Sequence, residues 1–307
     1  LLLTSTRVAS AEILHDALRS CQRFWPSPEL VLDERDERHW MPCRRLSEDA
    51  QVDDLLAYQR SFTPDLDRKG QAAYAIGDVS HMLATAVVPL FVGFRMVPSL
   101  SLSALRIGFD TRSIKHRDGS AMERLWRIRF GLADLETDDE GLADKLGIEA
   151  TPDLAGVLRR SIEMLLAPLV QALHRRSGLS RNALWRLVTD SFSQLFLDAG
   201  RRFGRVEKAK ADAMLVLKAP GSPLANRQMH FFDIEICSSE KPGRILASVA
   251  FRARGGCCRY YTVEGGHLCA TCVLQNPAER DAKLRQYLRG RFGQAQTAAA
   301  AIDNPTA

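Results

Sequence analysis

Four cysteines crowd into sixteen residues near the C-terminus: Cys257, Cys258, Cys269 and Cys272, in the run GGCCRYYTVEGGHLCATC. Thiolates are soft donors that select zinc, copper(I) or iron–sulfur clusters over hard cations, so this stretch is expected to fold around an inorganic unit. Cys269 and Cys272, with two residues between them, make the short chelate turn shared by zinc knuckles and iron–sulfur loops. The adjacent pair says more. Neighbouring side chains on an extended strand point to opposite faces, so Cys257 and Cys258 reach one site only where the backbone bends. Gly255 and Gly256 just before them are expected to allow the bend through positive φ. Tyr260 to Val263 favour extended structure and Glu264-Gly265-Gly266 a turn, which predicts a hairpin that closes the two halves together. Four thiolates satisfy a two-iron cluster, whereas structural zinc generally uses two spaced knuckles, for which an adjacent pair is a poor half. The spacing favours a [2Fe-2S] cluster, leaves zinc open, and admits a disulfide framework only as a minor alternative.

Two adjacent cysteines, ten residues, then a pair with a two-residue spacer, at the C-terminal end of a chain of this size, resemble the motif of the FhuF-type ferric siderophore reductases. Arg252 and Arg254 upstream, Tyr260 and Tyr261 after the first pair and a glycine before the second extend the likeness. Leu184-Trp185 in SRNALWRLV is similar to a leucine–tryptophan segment of that family, and QAAYAIGDVSHMLATAVVPLF more loosely to its apolar helix ending at proline. Gly255 and Gly256 depart from it, standing where arginine and threonine or serine are expected, as does Val273 at a position where proline often follows. The resemblance implies a [2Fe-2S] cluster on Cys257, Cys258, Cys269 and Cys272 and one-electron reduction of siderophore-bound iron(III) to iron(II) in the cytoplasm. It also implies a ferric siderophore, of hydroxamate type, as substrate. Neither a Walker loop nor a dinucleotide fingerprint occurs in the chain, so electrons are expected from an external donor such as a ferredoxin or flavin reductase. No nucleic-acid partner and no membrane span are expected. The other readings are a zinc-stabilised nucleic-acid-binding protein and a non-catalytic iron–sulfur sensor or siderophore-binding protein.

Charge is unevenly placed. From Glu240 onward there are ten basic and five acidic residues, so the formal +5 of the whole chain belongs to the cysteine region. Such a field favours a reduced, anionic cluster and an acidic donor or anionic chelate. Arg252, Arg254, Arg259, Tyr260 and His267 are the candidates for substrate or donor docking, while Arg280 to Arg291 reads as a solvated basic helix. Cys21, Cys43 and Cys237 are scattered and read as ordinary structural thiols, which suits a reducing compartment. His81 and His230, in apolar contexts, read as satisfied core imidazoles. Asp233 and Glu235 alternate with Ile234 and Ile236 and are expected on an exposed strand face. The opening LLLTSTRVAS lacks the pattern of a secretory leader, and the apolar run Met82 to Phe94 is short of a span.

The predicted fold class is α+β, predominantly helical with a small antiparallel sheet and a C-terminal four-cysteine module. Helices are expected over Ser10–Phe24, Gln51–Phe62, Gln71–Phe94, Leu154–Arg176, Ser180–Phe203 (with Ser180 as cap) and Ala278–Arg291. Strands are expected near Leu105–Phe109, Trp126–Phe130, Ala213–Leu217, Met229–Ile236 and Ile245–Phe251. The domain reading is a substrate-binding region over 1–239 with an internal boundary at 134–153, the cluster module over 240–292, and a flexible tail over 293–307.

Overall fold

The computed structural model describes residues 2–32, 38–102, 105–116, 119–131, 135–237 and 244–302. The expected boundaries that begin at Asp134 and Glu240 fall on residues outside this set.

In chain order, helix α1 (Leu2–Gln22) leads to strand β1 (Glu29–Val31), the short β2 (Met41–Pro42) and a 3-10 turn over Cys43–Ser47. Helices α2 (Asp49–Phe62) and α3 (Arg68–Phe94) follow, then strands β3 (Met96–Pro98), β4 (Arg106–His116), β5 (Gly119–Arg129) and β6 (Leu135–Thr137). Helices α4 (Glu140–Leu146), α5 (Leu154–Ser177), α6 (Arg181–Arg202) and α7 (Val206–Leu217) precede the strands β7 (His230–Cys237) and β8 (Ile245–Ala253). Helix α8 (Pro277–Ile302) ends the described chain. The described residues are 54% helical with small sheets, in keeping with the α+β reading.

The central element is α3. Its Ala, Val, Leu and Ile positions are buried on nearly every side, so it shows little amphipathic contrast. By length and composition it would pass for a membrane span, but 83% of its apolar window lies inside the protein, where it packs on α6, α2 and α5. Asp67 caps its N-terminus, accepting from the Gly70 N–H at 2.6 Å, and Arg95 closes the C-terminus in the left-handed region at φ 54°. Ser180 caps α6 as expected, accepting from the Ala183 N–H. The stripe Leu184, Trp185, Leu187, Val188, Phe192, Leu195 and Phe196 is core, also as expected.

Among the described residues, three sheets flank this bundle. One has the order β1-β5-β4-β2, antiparallel except for the parallel β1–β5 pair; the others are the antiparallel pairs β3–β6 and β7–β8. Ala213–Leu217 is a correction, because it forms the last turns of α7 and not a strand. Buried Ala209, Ala213, Val216 and Leu217 recur at helical spacing, and the small alanines let α7 lie close on Gly200 of α6. The stretch between 135 and 153 carries β6 and α4. Helix α8 continues past Arg291 to Ile302.

A second, smaller apolar cluster sits at the C-terminal end. Ile234 and Ile236 of β7 meet Leu284 and Leu288 of α8, and Asp233 and Glu235 face outward as the alternation predicts. Strand β7, upstream of position 240, is therefore tied by pairing and packing to elements on both sides of the cysteine motif. Within the basic helix Arg280 is the exception to solvation: it is buried, with its guanidinium 3.9 Å from the Phe232 ring centroid.

Candidate metal centre

The cysteine loop, Arg254 to Gln275, emerges from the end of β8 and lies over α3 and α6. One buried carboxylate organises its start. Asp190, on the core-facing side of α6 and 3% exposed, accepts from the Gly255 N–H at 2.7 Å, the Gly256 N–H at 3.0 Å and Arg254 Nε at 3.2 Å. Arg252 Nη1 lies 3.4 Å from the same carboxylate as an ion pair without hydrogen-bond alignment, while Arg252 Nε donates to Gln194 Oε1 at 3.3 Å. Two further aspartates hold the outer part of the loop. Asp67, the α3 cap, accepts from Arg259 Nη2 at 2.6 Å, and Asp65 accepts from the Glu264 N–H at 2.7 Å.

The glycines before the cysteines do a different job from the one expected. Neither Gly255 nor Gly256 adopts positive φ; the left-handed residues in this region are Arg259 (φ 64°) and Gly265 (φ 68°). The pair is needed for close approach instead. A Cβ on Gly255 would sit 2.2 Å from Asn226 Oδ1, and one on Gly256 3.0 Å from the backbone N and side chain of Leu187. The predicted hairpin is also corrected. Tyr260–Thr262 form a 3-10 turn, fixed by Thr262 Oγ1 donating to the Arg259 carbonyl at 2.7 Å, and a further turn follows with the Gly266 N–H donating to Val263. Tight turns, not strands, bring the halves together.

The thiols approach one another in pairs. The Cys258 and Cys269 thiols lie close enough to perturb one another, and Cys257 is within electrostatic reach of Cys272 and Cys258. The contact with Cys269, helped by Arg254, pulls the Cys258 thiol down to about 5, while the same contact and burial push Cys269 up. Arg254 Nη1 donates to Cys269 Sγ at 3.2 Å and the Arg259 N–H to Cys257 Sγ at 3.4 Å. The turn at Cys269 is closed by the Cys272 N–H donating to the Cys269 carbonyl at 2.9 Å. Among the described residues, no group of three or more His, Cys, Asp or Glu side chains is arranged to hold a single metal ion. Four thiols in two pairs, with N–H donors aimed at the sulfurs, fit a two-iron cluster in donor chemistry.

A cavity of about 320 Å³ opens beside the loop, lined by Cys258, Cys269, Arg254 and Tyr260 together with Tyr74, Asp78 and Ser191 from α3 and α6. Tyr74 shares this lining with Cys258, and burial first, then the neighbouring thiolate, push its phenol up. Arg254 and Tyr260 face this cavity, whereas Arg252 turns inward and Arg259 outward to Asp67. His267 is exposed and meets the Tyr260 ring edge to face, with centroids 5.4 Å apart. Around the cysteines the expected positive charge is partly compensated, since Arg252 and Arg254 share the one carboxylate of Asp190 and Arg259 has Asp67.

His81 and His230 are exposed, not core. His81 sits where α3 meets the β5 side of the molecule, and His230 bonds the Gln228 carbonyl at 2.7 Å. Cys21 and Cys43 are buried, and desolvation pushes each up to about 12, as inert structural thiols require; Cys237 is exposed. Asp190, Asp67, Asp65, Tyr74 and Asp78 were not among the sequence candidates. The available signal for Asp190 was a lone carboxylate three residues after Leu187, inside the apolar stripe of a predicted helix.

Residues 254–274 match the family model described as the FhuF 2Fe-2S C-terminal domain. No curated protein matches the chain significantly.

Proposed function

From a chain that carries the FhuF-type 2Fe-2S C-terminal domain, we propose a cytoplasmic ferric-siderophore reductase whose [2Fe-2S] cluster is held by Cys257, Cys258, Cys269 and Cys272. The observation that carries this reading is the cavity between α3 and α6, into which two of the four thiols face. When bound, the cluster supplies a one-electron relay. The substrate is siderophore-bound iron(III), which leaves as iron(II) after gaining one electron that an external ferredoxin or flavin reductase provides. Iron(II) binds an oxygen cage far less tightly than iron(III), so no nucleophile or general base is needed for release.

The chain's own residues position and tune. Arg254 and the Arg259 N–H donate to the sulfurs and spread their negative charge, which favours the reduced state. Asp190 fixes Arg254 and the loop backbone, and Tyr74, Tyr260 and Leu187 wall the cavity against bulk water. Arg254 is paired with Asp190, and Arg124, near the far end of Asp78, with Asp54. A lining whose cations are already paired suits a neutral tris-hydroxamate chelate better than a trianionic catecholate one. Tyr260 and His267, at the mouth of the loop, are proposed to contact substrate or donor.

The test is visible absorption with iron and acid-labile sulfide analysis of anaerobically purified protein, followed by mixing of the reduced protein with ferrioxamine B under an iron(II) trap. Two irons and two sulfides per chain, with iron(II) appearing as the cluster is reoxidised, are expected. A colourless protein with stoichiometric zinc, or a cluster that no ferric chelate reoxidises, overturns the proposal.

A further inference from the structure

Helix α3 lays one face along two cavities in succession. Tyr74, Gly77 and Asp78 border the cavity at the cysteine loop; Asp78, His81 and Met82 border a second of about 200 Å³. Tyr58 of α2 and Glu123, Arg124 and Trp126 of β5 close the far side of the second. Asp78 belongs to both linings. At 1.5 Å per residue, the stretch from Tyr74 to Met82 covers about 12 Å of helix. The first cavity is near the lower end of the ~300–1,000 Å³ of small-molecule sites and the second below it, a size that suits part of a larger ligand.

The second cavity has fixed polar walls. The Arg124 guanidinium lies 4.3 Å from the Tyr58 ring centroid and 4.4 Å from that of Phe109, donates to Asp54 at 2.7 Å, and its side chain is only 9% exposed. The Tyr58 hydroxyl accepts from the Arg124 N–H at 3.0 Å, and Asp78 accepts from Gln59 Nε2 at 2.6 Å. Side chains held in this way are preorganised before any ligand arrives. Gly77 adds an independent sign. Glycine weakens a helix interior, and a Cβ there would meet nothing within 4 Å. Packing does not require the glycine, and its absent side chain leaves room in the first cavity on the side of Asp78.

We propose that the second cavity is a subsite for the organic scaffold of the ferric chelate, which reaches past Asp78 while the chelated iron occupies the cavity at Cys258 and Cys269. The inference rests on the reductase reading and assigns the subsite to Tyr58, Asp78, His81, Glu123, Arg124 and Trp126. Carbonyl oxygens of an amide- and hydroxamate-bearing chain meet donors on Tyr58 and His81, its N–H or ammonium groups meet Asp78 and Glu123, and its methylenes lie on Met82 and Trp126.

The test uses redox-inert gallium(III) chelates of two sizes, gallium–desferrioxamine B and gallium tris(acetohydroxamate), titrated calorimetrically into the full chain. His81→Trp fills the second cavity from an exposed position, and Gly77→Leu fills the first from a position with open space. His81→Trp is expected to weaken the large chelate at least tenfold and to cut the large-to-small affinity ratio by a similar factor; Gly77→Leu is expected to weaken both chelates. Unaltered melting and visible absorption verify that each variant is folded and loaded. Wild-type affinity of His81→Trp for the large chelate, or equal weakening of both chelates by it, overturns the subsite while wild-type reduction of ferric chelates still stands. A wild-type protein that neither binds gallium chelates nor reduces ferric ones overturns the reductase reading itself, and the subsite with it.

Discussion

Replacing Asp190 by alanine tests the anchor of the cysteine loop. The substitution leaves Arg252 and Arg254, with side chains 10% and 18% exposed, without their shared counter-charge, and orphans the buried N–H groups of Gly255 and Gly256. Breaking a buried ion pair from one side costs about 3–5 kcal/mol, and an orphaned buried donor about 1–3 kcal/mol. These losses share one carboxylate and do not simply add, so about 4 kcal/mol is a fair central figure. At roughly 2–4 °C per kcal/mol for a chain of this order of size, melting falls by about 10 °C. Asp190→Asn keeps the shape and one acceptor oxygen but loses the charge, and is expected to lie between alanine and wild type. Because a bound metal group stabilises the folded state in its own right, melting is measured by calorimetry on both metal-free and loaded protein, alongside iron content and visible absorption. A metal-free alanine variant that melts within about 2 °C of wild type, and still takes up full iron, would falsify the anchoring role.

Serine in place of any one of Cys257, Cys258, Cys269 and Cys272 is expected to abolish the visible cluster spectrum and ferric-chelate reduction together; a variant with no cluster and normal turnover refutes the mechanism. Gly255→Ala forces a Cβ to 2.2 Å from Asn226 Oδ1, and overpacking of this kind costs roughly 1–3 kcal/mol, readable as a lower melting temperature. Burial pushes the Asp78 carboxyl up, against the pull of Gln59 and Arg124. The folded state therefore holds that proton more tightly than the unfolded chain, and the charge costs stability as pH rises through the shifted value. Asp78→Asn is accordingly expected to raise stability at pH 7, with the gain fading in acid; a gain independent of pH contradicts this. Arg259 holds Asp67 below its ordinary value, so their pairing is present above the usual carboxylate range and lost as pH falls through the lowered one. Asp67→Asn should remove that acid-side dependence from hydrogen exchange at the Arg259 to Glu264 amides.

The parts of this fold that could be read from sequence are those where one local rule dominates. α5 and α6 announced themselves through apolar periodicity and capping residues, and Ser180 caps as its position predicts. β7 and β8 followed from alternation that the small α8 core makes use of. α7 was misread because MLVL resembles a strand when taken alone, while the alanines that make it helical also make it inconspicuous. The short pairs β1–β5 and β3–β6 join segments far apart in sequence, and three residues carry too little pattern to announce a partner. His81 was misplaced for a related reason: apolar neighbours on α3 describe the helix as a whole, and the helix has one side that opens onto a cavity.

At the metal centre the division is between ligands and supports. The four thiols here stand at short spacings, so local sequence displays them. The groups that aim them have no such constraint: Asp190 is 67 residues from Cys257 in the chain, and Asp65 and Asp67 lie farther away still. All three carboxylates accept from backbone N–H groups or arginines of the loop, and two of them sit at the start of α3 or just before it. The cysteine loop is thereby fastened to both helices that wall the cavity, α3 through Asp67 and α6 through Asp190. A shift of either helix would move the thiols and the cavity together, and the alignment of the two does not depend on the loop's own stiffness. The glycine pair belongs to the same arrangement: only residues without a Cβ let the backbone come near enough to Leu187 and Asn226 for its N–H groups to reach a carboxylate inside the core.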